Sequence, residues 1–445
     1  MRPAVIQFIH ETTWHDLPED VRRQARRCLL DTLAAGISGR ATELSQIIHD
    51  FAASTFGGQG AQLWLDGREV SPPGAALANG MTIDSLDIHD GHSLTKGHAG
   101  AAVVPGLFAT VSSKGGPRIS GKEFLTTLVV GYEVALRAGM VLHQTVCDYH
   151  TSGAWNAIGV AALAARRLGM KREQTRHALG IAEYHGPRSQ MMRCIDHPTM
   201  LKDGSGWGAM AGVSAALLAR ADFTGAPALT VESDEVNEIW HNLGGSWQFT
   251  GQYFKPHAVC RWAQPSIEAA LALQQNYRLK PAQVQQIRVF TFHEAVRLNC
   301  RCPRSTEEAQ YSLPFPLAAA LVFGRLGARE LSGQSLTDPA VLKLSDCVKL
   351  IEYEDYNERF PAKRYARVEI QSQEGKIFDS GEVEANWEAT SPPTDQALRK
   401  KFRWLAREQL PAERAADLEQ MVWHCEELPD VDQLLALITM PVSSE

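Results

Sequence analysis

Two stretches of the chain, Gly159-Val-Ala-Ala-Leu-Ala-Ala165 and Ala209-Met-Ala-Gly-Val-Ser-Ala-Ala216, hold almost nothing but small residues. Segments without bulk let neighbouring helices approach closely, which places these two at the centre of a helical bundle. The windows around them, 153–168, 171–184 and 207–220, read as helices. So does the stretch from Leu17 to Ile37, where Val21, Ala25, Cys28, Leu29, Thr32, Leu33 and Ala34 recur at helical spacing. Gly36 and Gly39 end that pattern. Ser120-Gly-Lys-Glu123 has the form of a capping box, with the serine accepting from a first-turn amide and the glutamate reaching back. It opens an apolar-faced helix running through Val141.

The texture changes after about residue 250. Val284-Gln-Gln-Ile-Arg-Val-Phe-Thr-Phe292 and Arg367-Val-Glu-Ile-Gln371 are β-branched or alternating, and Glu374-Gly375 and Ser380-Gly381 supply turns. Helical patterns at 262–277 and 313–323 are interleaved with them, as in an α+β module. After Ser391-Pro-Pro-Thr394 the chain returns to helix, from Ala397 to Leu405 and over 430–438. A length of 445 residues exceeds one ordinary core. The expected fold is mainly α with an α+β second domain. A large all-helical domain would be discontinuous over 1–250 and 390–445, with a smaller α+β lid domain at 251–389.

A net charge of −7 leaves no basic footprint for nucleic acid or an anionic membrane, although cations gathered in a pocket can still hold an anionic metabolite. The apolar run Met1–His10 is too short for a secretory core, and no stretch approaches the roughly 20 apolar residues of a membrane span. The eight cysteines are scattered, as expected of reduced thiols in a cytoplasmic protein. Cys300-Arg-Cys302 lacks the C-x-x-C spacing of a metal or cluster site.

The densest polar cluster is Asp84, Asp87, His89, Asp90, His92, Lys96 and His98. Histidine exchanges protons near neutral pH, and neighbouring carboxylates set its tautomer and basicity. Two other readings stay open: a solvated polar loop, and a metal site using His89-x-x-His92 with nearby aspartates. A second cluster, Met200-Leu-Lys-Asp-Gly-Ser-Gly-Trp-Gly208, sets Lys202 ahead of a helix N-terminus, where a carboxylate can bind, but lacks the order of a phosphate loop. A third, Tyr253-Phe-Lys-Pro-His-Ala-Val-Cys-Arg-Trp262, brings Lys255, His257, Cys260 and Arg261 to the boundary between the two textures. Clefts between domains are common ligand sites. Tyr149-His150 before a helix and Arg188 with Arg193, as carboxylate clamps, complete the candidates.

These clusters, in this order, resemble the MmgE/PrpD family, which includes 2-methylcitrate dehydratases, cis-aconitate decarboxylases and an iminodisuccinate epimerase. The resemblance runs through most of the chain. It is carried by Cys28-Leu-Leu-Asp-Thr-Leu-Ala34, Asn79-Gly-Met-Thr-Ile-Asp-Ser-Leu-Asp87 followed by His98 and Val103-Val-Pro105, and Tyr149-His150-Thr-Ser-Gly153. Lys202-Asp-Gly-Ser-Gly206, Lys255-Pro-His-Ala-Val-Cys260 and Glu308-Ala-Gln-Tyr-Ser-Leu-Pro-Phe315 continue it. It implies a homodimer with a cleft between the domains and chemistry without metal, iron–sulfur cluster or other cofactor. Asp87, His98, Lys202, Lys255 and Cys260 match active-site positions, with Cys260 standing where the decarboxylases have histidine. The chain also departs from the family. His89 and Gly91 stand near the places of a second acid and a threonine, the spacing to His98 is one residue longer than in the decarboxylases, and Gly97-His98-Ala99 replaces the common His-Pro.

The chemistry so implied is proton movement at a carbon next to a carboxylate, through an enolate-like intermediate that cations stabilise. Lys202 and Lys255 are expected to hold carboxylates of a di- or tricarboxylate. His98 would be the acid or base oriented by Asp87, and His150, Tyr149 or His257 a second proton carrier. Cys260, His257, Arg193 and His89 are expected to contact substrate. A lyase of the 2-methylcitrate dehydratase type is favoured, and a two-base epimerase of an amino- or imino-dicarboxylate is the alternative. A divalent-metal hydrolase using Asp87, His89, His92 and His98 and a non-catalytic carboxylate binder are the readings from other classes.

Overall fold

The computed structural model describes residues 3–111 and 118–442; Met1 and Arg2 of the N-terminal run lie outside the described residues. The small-residue segments are indeed central. Helix Ser205–Arg220 packs against Gly153–Arg167 on one side and Pro72–Asp84 on the other. Its approach to the latter leaves no room for a side chain, since a Cβ on Gly80 would lie 2.7 Å from the Cα of Gly206. Helices Glu19–Gly39, Gly100–Val111, Gly121–Thr145 and Arg172–His185 surround this centre.

The Glu19–Gly39 helix runs through Gly36 without a break. Ser120 caps the Gly121–Thr145 helix by accepting from the Glu123 amide at 3.3 Å. The reciprocal half of the expected capping box does not form, because the Glu123 carboxylate instead takes a two-pronged bond from Arg166 at 2.8 and 2.9 Å. The same helix corrects a second expectation: with 25 residues it is long and apolar enough, by length and composition alone, to cross a membrane. Of its most apolar window, 89% is buried in protein, as befits a core helix.

The second half carries a four-stranded mixed sheet in the spatial order Val348–Glu352, Val284–Thr291, Tyr365–Ser372, Ile377–Glu384. The first pair is parallel, with Ile287 opposite Val348; the others are antiparallel, with Val289 opposite Val368 and Ile370 opposite Phe378. Helix Gln264–Tyr277 covers the strands Tyr365–Ser372 and Ile377–Glu384 and packs on helix Pro314–Phe323. Gly375 makes the expected turn at φ +82°. Ser380-Gly381 does not: it lies inside the last strand, where the register shifts between Arg367 and Glu369 and Gly381 adopts φ +65°. An extra residue in a strand is accommodated by such a bulge.

The C-terminal helix Asp395–Ala406 lies along Glu19–Gly39 of the helical half. Lys401 on it donates to Asp31 Oδ1 at 2.6 Å and to the Ile88 carbonyl at 2.7 Å, both fully inside the protein. This contact bears directly on the polar loop 85–98.

Candidate active site

The loop after helix Pro72–Asp84 is held by short-range backbone pairing across a long sequence distance. Gly91 and His92 form an antiparallel bridge with Tyr253 and Gln252, so the histidine-rich loop and the segment leading to Lys255 are one unit. Gly91 has no alternative here: a Cβ would lie 2.5 Å from Tyr253 Cζ and 2.8 Å from His98 Nδ1. Lys255, with no exposed surface, donates to Asp87 Oδ1. Asp87, Lys96 and Lys202 all sit at positive φ (+49°, +49° and +53°), a conformation that non-glycine residues adopt only when their surroundings enforce it.

His98 Nδ1 lies 2.7 Å from the Asp90 carbonyl oxygen. A carbonyl only accepts, so Nδ1 carries the proton and Nε2 presents a lone pair, 3.7 Å from Asp87 Oδ1. Burial, with the charge of Lys255 behind it, holds the His98 ring at a pKa of about 3, so it is neutral at pH 7. Burial pushes Asp87 upward, but Lys255, then His98 and Lys202, outweigh it and hold the carboxylate well below its usual range. His98 is therefore a neutral base beside a fixed anion, ready to stabilise the imidazolium that a captured proton would create.

Ser152 braces this base and a second group. The His98 amide donates to Ser152 Oγ at 3.0 Å, and the Ser152 amide donates to Asp203 Oδ1 at 2.9 Å. Asp203 Oδ2 is buried without a hydrogen-bond partner among the described residues. Burial and then the charge of Asp84 push the Asp203 carboxyl far above the usual carboxylate range, so it keeps its proton. Asp84 takes the opposite state: burial opposes its ionisation, but contact with His89 at 3.3 Å and the charge of Lys202 hold it below the usual value. One chamber thus contains a neutral base and a protonated acid.

That chamber is lined from the helical half by Asp87, Lys96, His98, Tyr149 and Asp203, and from the other side by Tyr253, Cys260, Arg261, Tyr311 and Arg364. Its volume is ≈ 30 Å³, much less than the ≈ 510 Å³ of the neighbouring cavity around Arg188, Arg193 and Trp207. The chemistry selects the smaller one, because Asp87, His98 and Asp203 all line it.

Residues 4–240 match the MmgE/PrpD N-terminal domain, and residues 257–427 match the MmgE/PrpD C-terminal domain. The chain belongs to the MmgE/PrpD family. It is 27% identical to a cis-aconitate decarboxylase-like protein of Aspergillus oryzae, over 97% of this chain and 96% of that protein. It is 26% identical to the cis-aconitate decarboxylase of Homo sapiens, over 98% of this chain and 94% of the relative. With the mitochondrial 2-methylcitrate dehydratase of Yarrowia lipolytica it shares 24% identity over 82% of this chain and 75% of the relative.

Of the residues the MmgE/PrpD resemblance singles out, Asp87, His98 and Cys260 line the chamber, and Tyr149 lines it too. Burial, then Asp87, pushes the Cys260 thiol up to about 12, so it is a neutral wall group and no nucleophile. The Tyr149 hydroxyl is committed to the Lys96 carbonyl at 3.0 Å. Lys255 meets the chamber only through Asp87. Lys202, 2% exposed, donates to Gln310 Oε1 and lies 4.8 Å from the centre of the Tyr311 ring. Lys255 is therefore spent on an anion, against the expectation from its sequence context, whereas Lys202 meets only a neutral amide and lines the neighbouring cavity instead of this chamber.

Four further expectations are corrected by packing. His89 is wholly buried behind His98, edge-on to its ring at 4.7 Å, and supports it instead of meeting a ligand. His150 stacks on His143 at 4.1 Å, outside the chamber lining. His257 faces the charge of Lys401, and burial, then that charge, lowers its pKa to about 4. Arg193 lines the neighbouring cavity, where it donates to Ser189 Oγ at 3.3 Å. The hydrolase ligand set does not assemble: His92 packs under Gly251, and among the described residues no three His, Cys, Asp or Glu side chains gather to hold a metal. Sequence reasoning passed over Asp203 and Arg364. The first was adjacent to the conspicuous Lys202, and the second had no signal at all.

The neutral histidines have a measurable consequence. Burial lowers the pKa of His92 to about 4, and burial with Lys255 lowers that of His98 to about 3, from the ordinary 6.5. Between about pH 6.5 and about 4 the unfolded chain therefore binds more protons than the folded one, and stability falls as pH falls through that window. Urea melts at about pH 7 and about pH 5 should place the midpoint lower at the acid value. An unchanged midpoint would mean that these rings are not buried neutral.

Proposed function

We propose that this MmgE/PrpD protein is a lyase that removes water from a β-hydroxy tricarboxylate of the 2-methylcitrate type, without a metal. The observation that carries this reading is the pairing of neutral His98 with protonated Asp203 in one chamber, both braced by Ser152. Elimination needs both halves. His98 Nε2 would take the proton from the carbon next to a carboxylate, and the electron pair of that C–H bond would become the new C=C bond. The C–O bond would break, and Asp203 would give its proton to the departing hydroxide, forming water. The proton on His98 would then return to Asp203 through solvent.

The anionic substrate itself helps, because negative charge beside a buried imidazole raises its proton affinity. Asp87, 3.7 Å away, would stabilise the imidazolium once formed. Loss of carbon dioxide requires a proton donor but no base, and Cys260 stands where the resemblance puts histidine in the decarboxylases. Both points favour dehydration.

The test is incubation with 2-methylcitrate, citrate and cis-aconitate in D₂O, with a chelator present, following alkene absorbance, carbon dioxide and deuterium uptake. Water loss that survives chelation supports the proposal. Carbon dioxide release would replace it with a decarboxylase, and deuterium uptake without loss of either group with an epimerase. No exchange with any acid would leave a carboxylate binder.

A further inference from the structure

We propose that Arg364 and Lys96 form a carboxylate-binding subsite of the chamber. This deepens the lyase reading and rests on it. Of the two lysines that the sequence singles out, Lys255 is paired with Asp87, and Lys202, bonded to the neutral Gln310 amide, lines the neighbouring cavity and not the chamber. Arg261 also lines the chamber, but its guanidinium is paired with Glu388. Arg364 differs. It is 7% exposed, its Nε is buried without a hydrogen-bond partner, and it forms no ion pair among the described residues. Its guanidinium lies 5.8 Å from the centre of the Phe360 ring.

A guanidinium cannot shed its charge, and burying it without an anion is costly. Its planar fork matches a carboxylate with two parallel hydrogen bonds. The missing counter-charge is therefore expected from a ligand. Lys96 supplies a second cation to the same chamber: its Nζ lies 5.8 Å from the centre of the Tyr149 ring, with no ion pair among the described residues. Tyr149 lines the chamber with both, and the Arg364 charge opposes the rise that burial imposes on its phenol. Lys96 comes from the histidine-rich loop, and Arg364 immediately precedes strand Tyr365–Ser372. A carboxylate held between them would bridge the two walls of the chamber. The reacting carbon would then lie towards Asp87, His98 and Asp203.

Binding and turnover are measured separately on wild type, Arg364→Met, Arg364→Lys and Lys96→Met, by calorimetry with citrate and cis-aconitate and by initial rates. Arg364→Met should weaken binding of both acids by at least about 30-fold, as for loss of one partner of a buried charge pair. KM should rise in step, while kcat at saturation stays within about threefold, because the proton carriers are untouched. Arg364→Lys should recover part of the affinity, and Lys96→Met, at a partly buried position, should cost no more than about fivefold. Wild-type affinity in both Arg364 variants, with unchanged melting curves, would overturn the subsite. If Arg364→Met does not fold, Arg364→Lys decides, since a bidentate site must lose affinity with a point charge in its place. Binding that depends on Arg364 without any turnover would keep the subsite and discard the lyase. Wild type binding neither acid would discard both.

Discussion

Replacing His98 by asparagine is expected to lower turnover by about 10²- to 10⁴-fold, the contribution typical of a positioned acid or base. Asparagine is chosen because its amide NH₂ can occupy the place of Nδ1 and keep the bond to the Asp90 carbonyl, which measures 2.7 Å in the native chain. What disappears is the Nε2 lone pair beside Asp87. The backbone amide of residue 98 still donates to Ser152, so Asp203 keeps its support. The fold should therefore survive, the melting temperature should hold, and KM should change little, because Arg364 and Lys96 remain. Deuterium uptake at the carbon next to the carboxylate should fall together with turnover. Turnover within tenfold of wild type in a fully folded variant would remove His98 from the reaction and leave the chamber without its base.

The largest effect on stability is expected at Lys401, far from any motif. Lys401→Met removes the only ion pair that Asp31 makes among the described residues and leaves a carboxylate with no exposed side-chain surface. Losing one partner of a buried pair costs about 3–5 kcal/mol, because the remaining charge is stranded. The loss also frees the Ile88 carbonyl, one residue from Asp87, so activity should fall even where the variant is folded. Denaturant melts of Lys401→Met, Asp31→Asn and the double variant separate the terms. The double variant should recover much of the lost stability, since no charge is left unpaired, while activity stays low. Equal destabilisation in the single and double variants would mean that packing of the lysine stem, and not its charge, holds the C-terminal helix in place.

How much was legible follows the physics of each element. The central helices Gly153–Arg167 and Ser205–Arg220 were readable because small residues at helical spacing leave one solution, close packing, whereas Pro72–Asp84 between them and the polar loop was not read as a helix. Helix Ala412–Trp423 was missed because its buried face includes Arg414 and Glu419, which interrupt the apolar stripe. Glu419 is buried only because Arg399 and Arg403 converge on it at 2.5–2.7 Å, a partnership invisible in a local window. Strand Val348–Glu352 was missed as well. It is five residues long, only its first residue is fully buried, and its parallel partner, Val284–Thr291, lies far back in the chain.

At the site, chemistry-bearing clusters were readable but their assignments were not. Asp87, His98 and Cys260 do meet in one chamber. His89 and His92 looked like ligands of equal standing, yet one supports His98 and the other packs beneath Gly251. Asp203 drew no notice beside Lys202, because an aspartate becomes an acid only where burial and a neighbouring carboxylate make it one.

The sequence by itself determined the family, the α and α+β halves, and which segments carry proton-transfer and cationic groups, since these depend on residue types at short spacing. Tertiary structure alone decided which cations are paired with an anion, which line the chamber, and which carboxyl holds its proton. Those properties arise from burial and from the nearest opposite charge. Here that charge comes from the other end of the chain: Lys255 for Asp87, 168 positions away, and Lys401 for Asp31, 370 positions away.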